Sequence, residues 1–366
     1  MDMLSGNNLK SLMHEQLGIC VSIYMPTIRK GTEIQQNQIR YKNLLRDAEE
    51  RLLSIGELRS SEVKEMLAPA QELSGNIPFW QSQSDGLALF LSEESFTYYR
   101  LPQSFEELVV ITDRFHIKPL MPVLVLDAPF FILAISQKTV RFLICSIQRV
   151  QETDIEGIPE NIDEALNLDD FEKHLQRHTG AEDVKLKILQ YFQLIDKGLR
   201  ERLRDKKFPL IFAGVDYLFP IYREANTYPH LTDRWISGNP EGLSAERLSD
   251  MAWPIMEDLL KRKRAAALAQ YNQNAGTGLT SSNVGEIVRE AFHGRVGVLF
   301  VPVGVQQWGT FDATTDEIKL ESEAKPGNED LLDLAAIQTI LNGGVVYPVK
   351  QKEMPGDLSL AAIFRY

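Results

Sequence analysis

Apolar positions along this chain change their spacing from one segment to the next, and each change marks an element. A helix-like leader is followed by residues 19–24, a short apolar run of strand length, ended by Pro26, which cannot donate to a sheet ladder. A polar turn, TIRKGTEIQQN, then leads into a predicted helix over about 37–53, where Tyr41, Leu45, Ala48 and Leu52 recur at the spacing of one buried face. Residues 87–91 and 96–100 read as two strands joined by the tight polar turn SEES. Strands are predicted again at 123–126, 130–135 and 140–145. The period then lengthens to that of an amphipathic helix over 181–204, with Val184, Ile188, Phe192, Ile195 and Leu199 on its core side. A buried-type strand at 210–213, a helix at 217–224 and a helical stretch at 244–271 follow, the last expected to kink or break at Pro254.

The closing stretch is the most informative. After a helix at 284–292, the Gly294-Arg295 step leads into GVLFVPVGVQQWGTFD, which reads as two strands, the first at 296–301 and rich in β-branched residues. Residues 331–341 are apolar round most of the circumference, so they predict a helix covered on several sides. Asn342-Gly343-Gly344 is its stop, because glycine takes the left-handed conformation there without steric cost. Strands are expected at 345–349 and 361–366, with Tyr366 packed at the end. Mixed strands followed by alternating helix and strand argue for α/β layers rather than a helical bundle. The Gly-, Asn- and Ser-rich stretch at 272–283 is the best linker.

A chain of 366 residues exceeds what one core usually supports, so the three segments 1–116, 117–275 and 276–366 are expected to be domains. No run of ~18 apolar residues is present and MDMLSGNNLK has no signal-peptide core, which predicts a cytoplasmic protein without a membrane partner. Cys20 and Cys145 lie in apolar runs and read as small buried hydrophobes. The net charge of -12 excludes a broad phosphate-binding surface, so any RNA contact must be local. The densest basic clusters are RERLRDKK at 200–207 and KRKR at 261–264, although basic residues near a helix end also favour its dipole.

The order of these elements resembles the archaeo-eukaryotic peptide-release factor and Pelota superfamily, most closely its bacterial branch, the bacterial archaeo-eukaryotic release factor family 3. SIYMPT followed by NQIRYKNLLRDAEERL resembles that family's strand-Pro step and following helix. HTGAEDVKLKILQYF stands where the superfamily carries its catalytic loop and the helix behind it, and PLIFAGVDYLFPIYREANTY resembles the bacterial branch's next strand and helix. The resemblance implies an α/β (α+β mixed) fold of three domains. These are a decoding-domain-like unit, a central ribonuclease-H-like mixed sheet with helices, and a C-terminal α/β unit like the kink-turn-binding ribosomal proteins. It implies a release-factor-like or Pelota-like translation factor of the ribosome-rescue kind, with the ribosome, tRNA or rRNA as partner and a further protein partner at the C-terminal domain.

The departures narrow that reading. No Gly-Gly-Gln occurs, the only Gly-Gly being the helix stop at Gly343-Gly344, and Asn37-Gln38-Ile39-Arg40 sits near the place of the codon-reading Asn-Ile-Lys-Ser without matching it. His178, Thr179 and Gly180 stand at the equivalent of the release loop. His178 can serve as a general base, and the helix start after it can hold a phosphate beside Lys185 and Lys187. Glu182 and Asp183 need only complement the helix dipole. Arg40, Lys42 and Arg46 are RNA-contact candidates in the first segment, and Lys261, Arg262, Lys263 and Arg264 in the second. The polar loop at 224–242 holds Asn226, Tyr228 and His230, with Asp233 and Asn239, but has no metal-ligand spacing. No phosphate loop, GxGxxG, GxSxG or HExxH occurs, and Asp127 has no evident partner for two-metal chemistry, so no cofactor or metal is expected. Two alternatives stay open: a hydrolase or nuclease using the 178–187 loop with the 224–242 loop, and a protein-interaction scaffold built on the acidic C-terminal segment.

Overall fold

A computed structural model describes residues 6–14, 18–29, 34–126, 128–136, 138–147, 149–155, 181–325 and 327–366. The fold is mixed α/β with several sheets. By contact the chain divides into Met1–Val125 with Ala266–Tyr366, and Leu126–Ala265.

In that first unit, helix α1 (Gly6–His14) precedes strand β1 (Cys20–Pro26), so Pro26 closes the strand instead of standing outside it. Helix α2 (Ile34–Ile55) buries Tyr41, Leu45, Ala48 and Leu52 as its spacing requires. Helices α3 (Ser60–Ser74) and α4 (Ile77–Gln81) follow, then β2 (Gly86–Leu91), β3 (Phe96–Leu101) and β4 (Leu108–Thr112). The sheet order is β3-β2-β1-β4. Alternate residues of β1 face opposite ways: Val21, Ile23 and Met25 pack on the helices, whereas Cys20 and Tyr24 join a core built with the chain's last third. The run at 123–126 is not a strand but part of α5 (Met121–Leu126). A six-residue apolar run cannot be assigned by period alone, and Pro122 is tolerated in a helix's first turn.

The C-terminal part of this unit has a sheet ordered β10-β16-β11-β15, from β10 (Thr280–Ser281), β11 (Val296–Pro302), β15 (Val345–Val349) and β16 (Ala361–Phe364). A second sheet is formed by β12 (Trp308–Asp312), β13 (Glu317–Glu321) and β14 (Glu329–Asp330). The expected linker is therefore partly an edge strand, because Thr280 and Ser281 pair with Ile363 and Ala362. Gly343 ends the predicted helix Leu331–Leu341 at φ 73°, a conformation a β-carbon would strain. Tyr366 is not packed as expected: it is 70% exposed, with the Arg295 guanidinium 5.5 Å from its ring.

A lysine, a histidine and two aspartates, Lys118, His116, Asp330 and Asp333, lie inside this unit's core. Lys118 is fully buried, and its ammonium donates to Asp330 and to the Val305 carbonyl. Asp330 also accepts the Gln307 N–H at 3.0 Å and caps the helix at Leu332 N–H at 3.1 Å. Asp333 Oδ1 accepts the N–H groups of Ile117 and Lys118 at 3.1 and 2.5 Å, while its Oδ2 lies 3.6 Å from His116 Nδ1. His116 is tied to β1, since its N–H donates to Ser22 and its carbonyl accepts the Tyr24 hydroxyl.

The second unit is a five-stranded mixed sheet, order β7-β6-β5-β8-β9, from β5 (Phe130–Ile135), β6 (Val140–Cys145), β7 (Val150–Glu152), β8 (Leu210–Gly214) and β9 (Ile236–Ser237). Strand β5 pairs antiparallel with β6 and parallel with β8. Helices α6 (Ala181–Leu203) and α7 (Leu218–Ala225) cover the face of Phe131, Leu133, Leu210 and Phe212. Helix α8 (Ala245–Gln273) covers the face of Phe130, Ile132, Ile211 and Ala213. That is the layered α/β arrangement the strand pattern predicts, continuous and buried on both sides. Helix α8 runs on through Pro254, where burial of Ala252, Ile255 and Met256 offsets the one lost backbone bond. Two further helices, α9 (Val284–Phe292) and α10 (Leu331–Leu341), belong to the first unit and pack in its core.

Candidate nucleic-acid interface

Asp196 begins the local construction. It follows Ile195 on the core stripe of α6 and is buried, so its carboxylate needs donors. Thr227 supplies both, its N–H at 2.9 Å and its hydroxyl at 2.7 Å, while Arg200 one turn along stands 3.6 Å away. The buried Tyr222 hydroxyl has no hydrogen-bond partner among the described residues, and burial, with the Asp196 charge adding to it, pushes its pKa well above the ordinary phenol range.

The loop that follows α7 is stitched down residue by residue. Asn226 donates to the Tyr228 carbonyl at 2.7 Å, the Tyr228 hydroxyl donates to the Phe208 carbonyl at 2.6 Å, and the His230 carbonyl accepts the Leu210 N–H at 2.9 Å. The Tyr228 and His230 rings meet edge to face at 5.3 Å. Replacing Asp196 with alanine leaves the Thr227 N–H without its acceptor and is expected to cost about 1–3 kcal/mol of stability, read by urea unfolding. An unchanged midpoint would show that the loop is not anchored here.

Between the end of α6 and this loop lies an open cleft of about 640 Å³, whose lining includes Leu203, Tyr228 and Pro229 and whose polar lining includes Arg200, Arg204, Lys206, Lys207 and His230. Asp196 and Asp205 are its carboxylates, so four permanent cations face two anions in a chain of net charge -12. Asp196 is already committed to Thr227. Among the described residues Arg204, Lys206 and Lys207 pair with no carboxylate, and all three are exposed. Two features read separately in the sequence, RERLRDKK and the loop holding Tyr228 and His230, thus line one cleft. Asp196 carried a readable signal, a carboxylate four residues after Phe192 on an otherwise apolar stripe.

The other expected residues are placed elsewhere. His178, Thr179 and Gly180 lie outside the described residues, as does Asp127. Lys185 pairs with Glu224 at 3.1 Å, and Lys187 is half-buried on the same helix. Lys261 and Arg262 hold Glu257 and Asp258, both at 2.8 Å, with Lys263 exposed and Arg264 half-buried beside them. In the first unit Arg40 is spent on Glu107 at 2.6 Å and the Pro26 carbonyl at 3.3 Å, while Lys42 and Arg46 are exposed and Arg46 comes within 4.0 Å of Glu50. Asn239 and Ser244 have local roles: one closes a turn onto the Glu241 N–H, the other caps α8 at the Arg247 N–H. Cys20 and Cys145 are buried and form no disulfide among the described residues, and burial pushes the Cys145 thiol up to about 11. Among the described residues no three His, Cys, Asp or Glu side chains gather so as to hold a metal ion, and no helix is long and apolar enough to cross a membrane.

Residues 129–295 match the family described as bacterial archaeo-eukaryotic release factor family 3. None of the curated proteins matches the chain. Among solved structures, the archaeal translation termination factor aRF1 is similar at 15% identity over 98% of this chain and 96% of its own, with a TM-score of 0.24. Archaeal Pelota, solved bound to the ribosome with ABCE1, is similar at 12% identity over 100% and 95%, with a TM-score of 0.43. Yeast (S. cerevisiae) Dom34, described as a translation termination-like factor that interacts with Hbs1, is similar at 10% identity over 74% and 73%, with a TM-score of 0.37. These scores are too low to carry an argument, and the family match spans less than half of the chain.

Proposed function

We propose that the chain is a member of the release-factor and Pelota superfamily through its bacterial branch, and that it acts on ribosomes as a rescue-type factor in translational stress. The match over 129–295 is the observation that carries the reading. The cationic cleft supports it, because a locally basic surface in an acidic chain is what sequence-independent phosphate contact needs. Residues 1–116 would face the decoding region, 117–275 the tRNA acceptor end, and 276–366 would recruit a protein partner. With no Gly-Gly-Gln in the sequence, its action does not include glutamine-dependent peptide release.

Co-sedimentation with bacterial ribosomes across a salt series tests this. The protein is expected to pellet with ribosomes at low salt and to leave them steeply as salt rises. It is expected to leave the ester of peptidyl-tRNA intact. Failure to pellet at every salt concentration would overturn the proposal. Recovery of a protein partner that survives nuclease treatment, without ribosomes, would return the scaffold alternative in its place.

A further inference from the structure

We propose that the cleft at the C-terminal end of α6 is an RNA-strand site, distinct from the place at the start of that helix where the superfamily's chemistry is expected; it rests on the reading of the chain as a translation factor. The helix sets the separation: Arg200 stands about 30 Å along the axis from Ala181, at ~1.5 Å per residue. Lys185, near the start, is already paired with Glu224. The two ends of α6 are therefore separate surfaces.

Charge complementarity identifies the occupant. Basic residues at a helix C-terminus also complement the carbonyls of its last turn, although Arg202 instead reaches the segment after β7, donating to the Asp154 carbonyl at 3.1 Å. That explanation does not account for Lys206 and Lys207, which stand beyond the last helical residue, Leu203. Nor does it account for the cleft they form with the 227–230 loop. Arg204, Lys206 and Lys207 are left as unneutralised cations around a partly apolar floor of Leu203, Tyr228 and Pro229. A cationic rim over an apolar floor suits a strand that presents phosphates outward and a sugar or base edge inward. The volume of about 640 Å³ admits one or two nucleotides and not a duplex. The floor is pre-formed, since Asp196 and the Phe208 carbonyl fix Thr227 and Tyr228 before any ligand arrives.

The probe is a fluorescein-labelled single-stranded RNA of about 12 nucleotides and mixed sequence, bound to the full chain and followed by anisotropy over a salt series. The triple variant Arg204→Gln, Lys206→Gln, Lys207→Gln is compared with the double variant Lys261→Gln, Arg262→Gln, which removes exposed cations already paired with Glu257 and Asp258. The triple variant is expected to lose at least tenfold in affinity at low salt, and the slope of log K against log salt to shrink by about 2 for three single-strand phosphate contacts. The double variant is expected to change less than twofold. Equal affinity of triple variant and unaltered protein, or an equal loss in the double variant, would overturn the site. So would displacement of the RNA by polyglutamate at equal charge concentration, which would make an acidic polypeptide the occupant. Circular dichroism confirms that each variant is folded. Ribosome sedimentation separates the two proposals: pelleting that the triple variant retains in full leaves the function standing without this site, and oligonucleotide binding without pelleting leaves the site standing without that function.

Discussion

Replacing Lys118 with methionine is expected to lower the stability of the first unit by about 3–5 kcal/mol. The Lys118 side chain is fully buried, and methionine, of similar length, keeps most of its volume, so the loss is electrostatic. With the ammonium gone, Asp330 remains buried beside the Asp333 carboxyl, and the basic group left near it among the described residues is His116 at 3.9 Å, which burial holds neutral. Water cannot reach them to compensate. Adding Asp330→Asn to Lys118→Met removes that stranded charge while leaving an amide oxygen to cap Leu332 and accept from Gln307. The double variant is therefore expected to recover at least half of the loss, which a mere packing defect would not allow. Urea unfolding read by tryptophan fluorescence checks both, Trp308 lying in the affected unit. A single variant within about 1 kcal/mol of the original protein would show that the ion pair contributes little.

That network also shows where the sequence stops being legible. Period and composition locate α6, α9 and α10, strands β5, β6, β8 and β15, and the Gly343 stop, because each depends on neighbours a few residues away. The helix at 121–126 reads as a strand in the sequence because six apolar residues fit both periods. Helices α3 and α4 and the short strands β4, β7, β13 and β14 were not distinguished, since what fixes them is pairing and packing with distant partners. The same distance hid the ion network: Lys118 and Asp330 are brought together from opposite ends of the chain. Even so, Asp333 in the apolar run LLDLAAIQTIL was a visible anomaly, as was Asp196 on the stripe of α6. A carboxylate on an otherwise apolar face points to a buried partner without naming it. The candidate interface was legible in its parts, RERLRDKK and the 224–242 loop, and illegible in their meeting.

Raising the pH from 6.5 to 8 is expected to destabilise the first unit, against the common tendency of carboxylate-rich proteins to lose stability in acid. Burial, with the neighbouring Asp330 charge adding to it, pushes Asp333 up to about 8 from an ordinary 3.8, with Lys118 opposing. Charge counting agrees, since two buried carboxylates share one ammonium and a proton on Asp333 neutralises the cluster. Glu329 is pushed up to about 7 by burial in spite of Arg114 at 3.1 Å, and Asp113 and Asp330 add to the rise. In each case the folded chain keeps a proton that the unfolded chain has released, so stability falls as pH rises through the window between the two values. His116 works the other way: burial holds it down to about 3 from 6.5, the unfolded chain binds the proton first, and stability rises with pH up to 6.5. His116 therefore offsets one of the two carboxyl groups below pH 6.5 and neither above it. Stability should fall most steeply between 6.5 and 7, and continue to fall to about 8 through Asp333 alone, at about 1.4 kcal/mol per pH unit for each proton. Asp333→Asn can keep an acceptor for the Ile117 and Lys118 N–H groups but cannot ionise. It should flatten the profile above pH 7 and leave the Glu329 region unchanged. Thermal unfolding at constant ionic strength, compared between the two proteins from pH 6 to 8.5, decides the matter. A slope above pH 7 that survives the substitution would place the titrating group elsewhere.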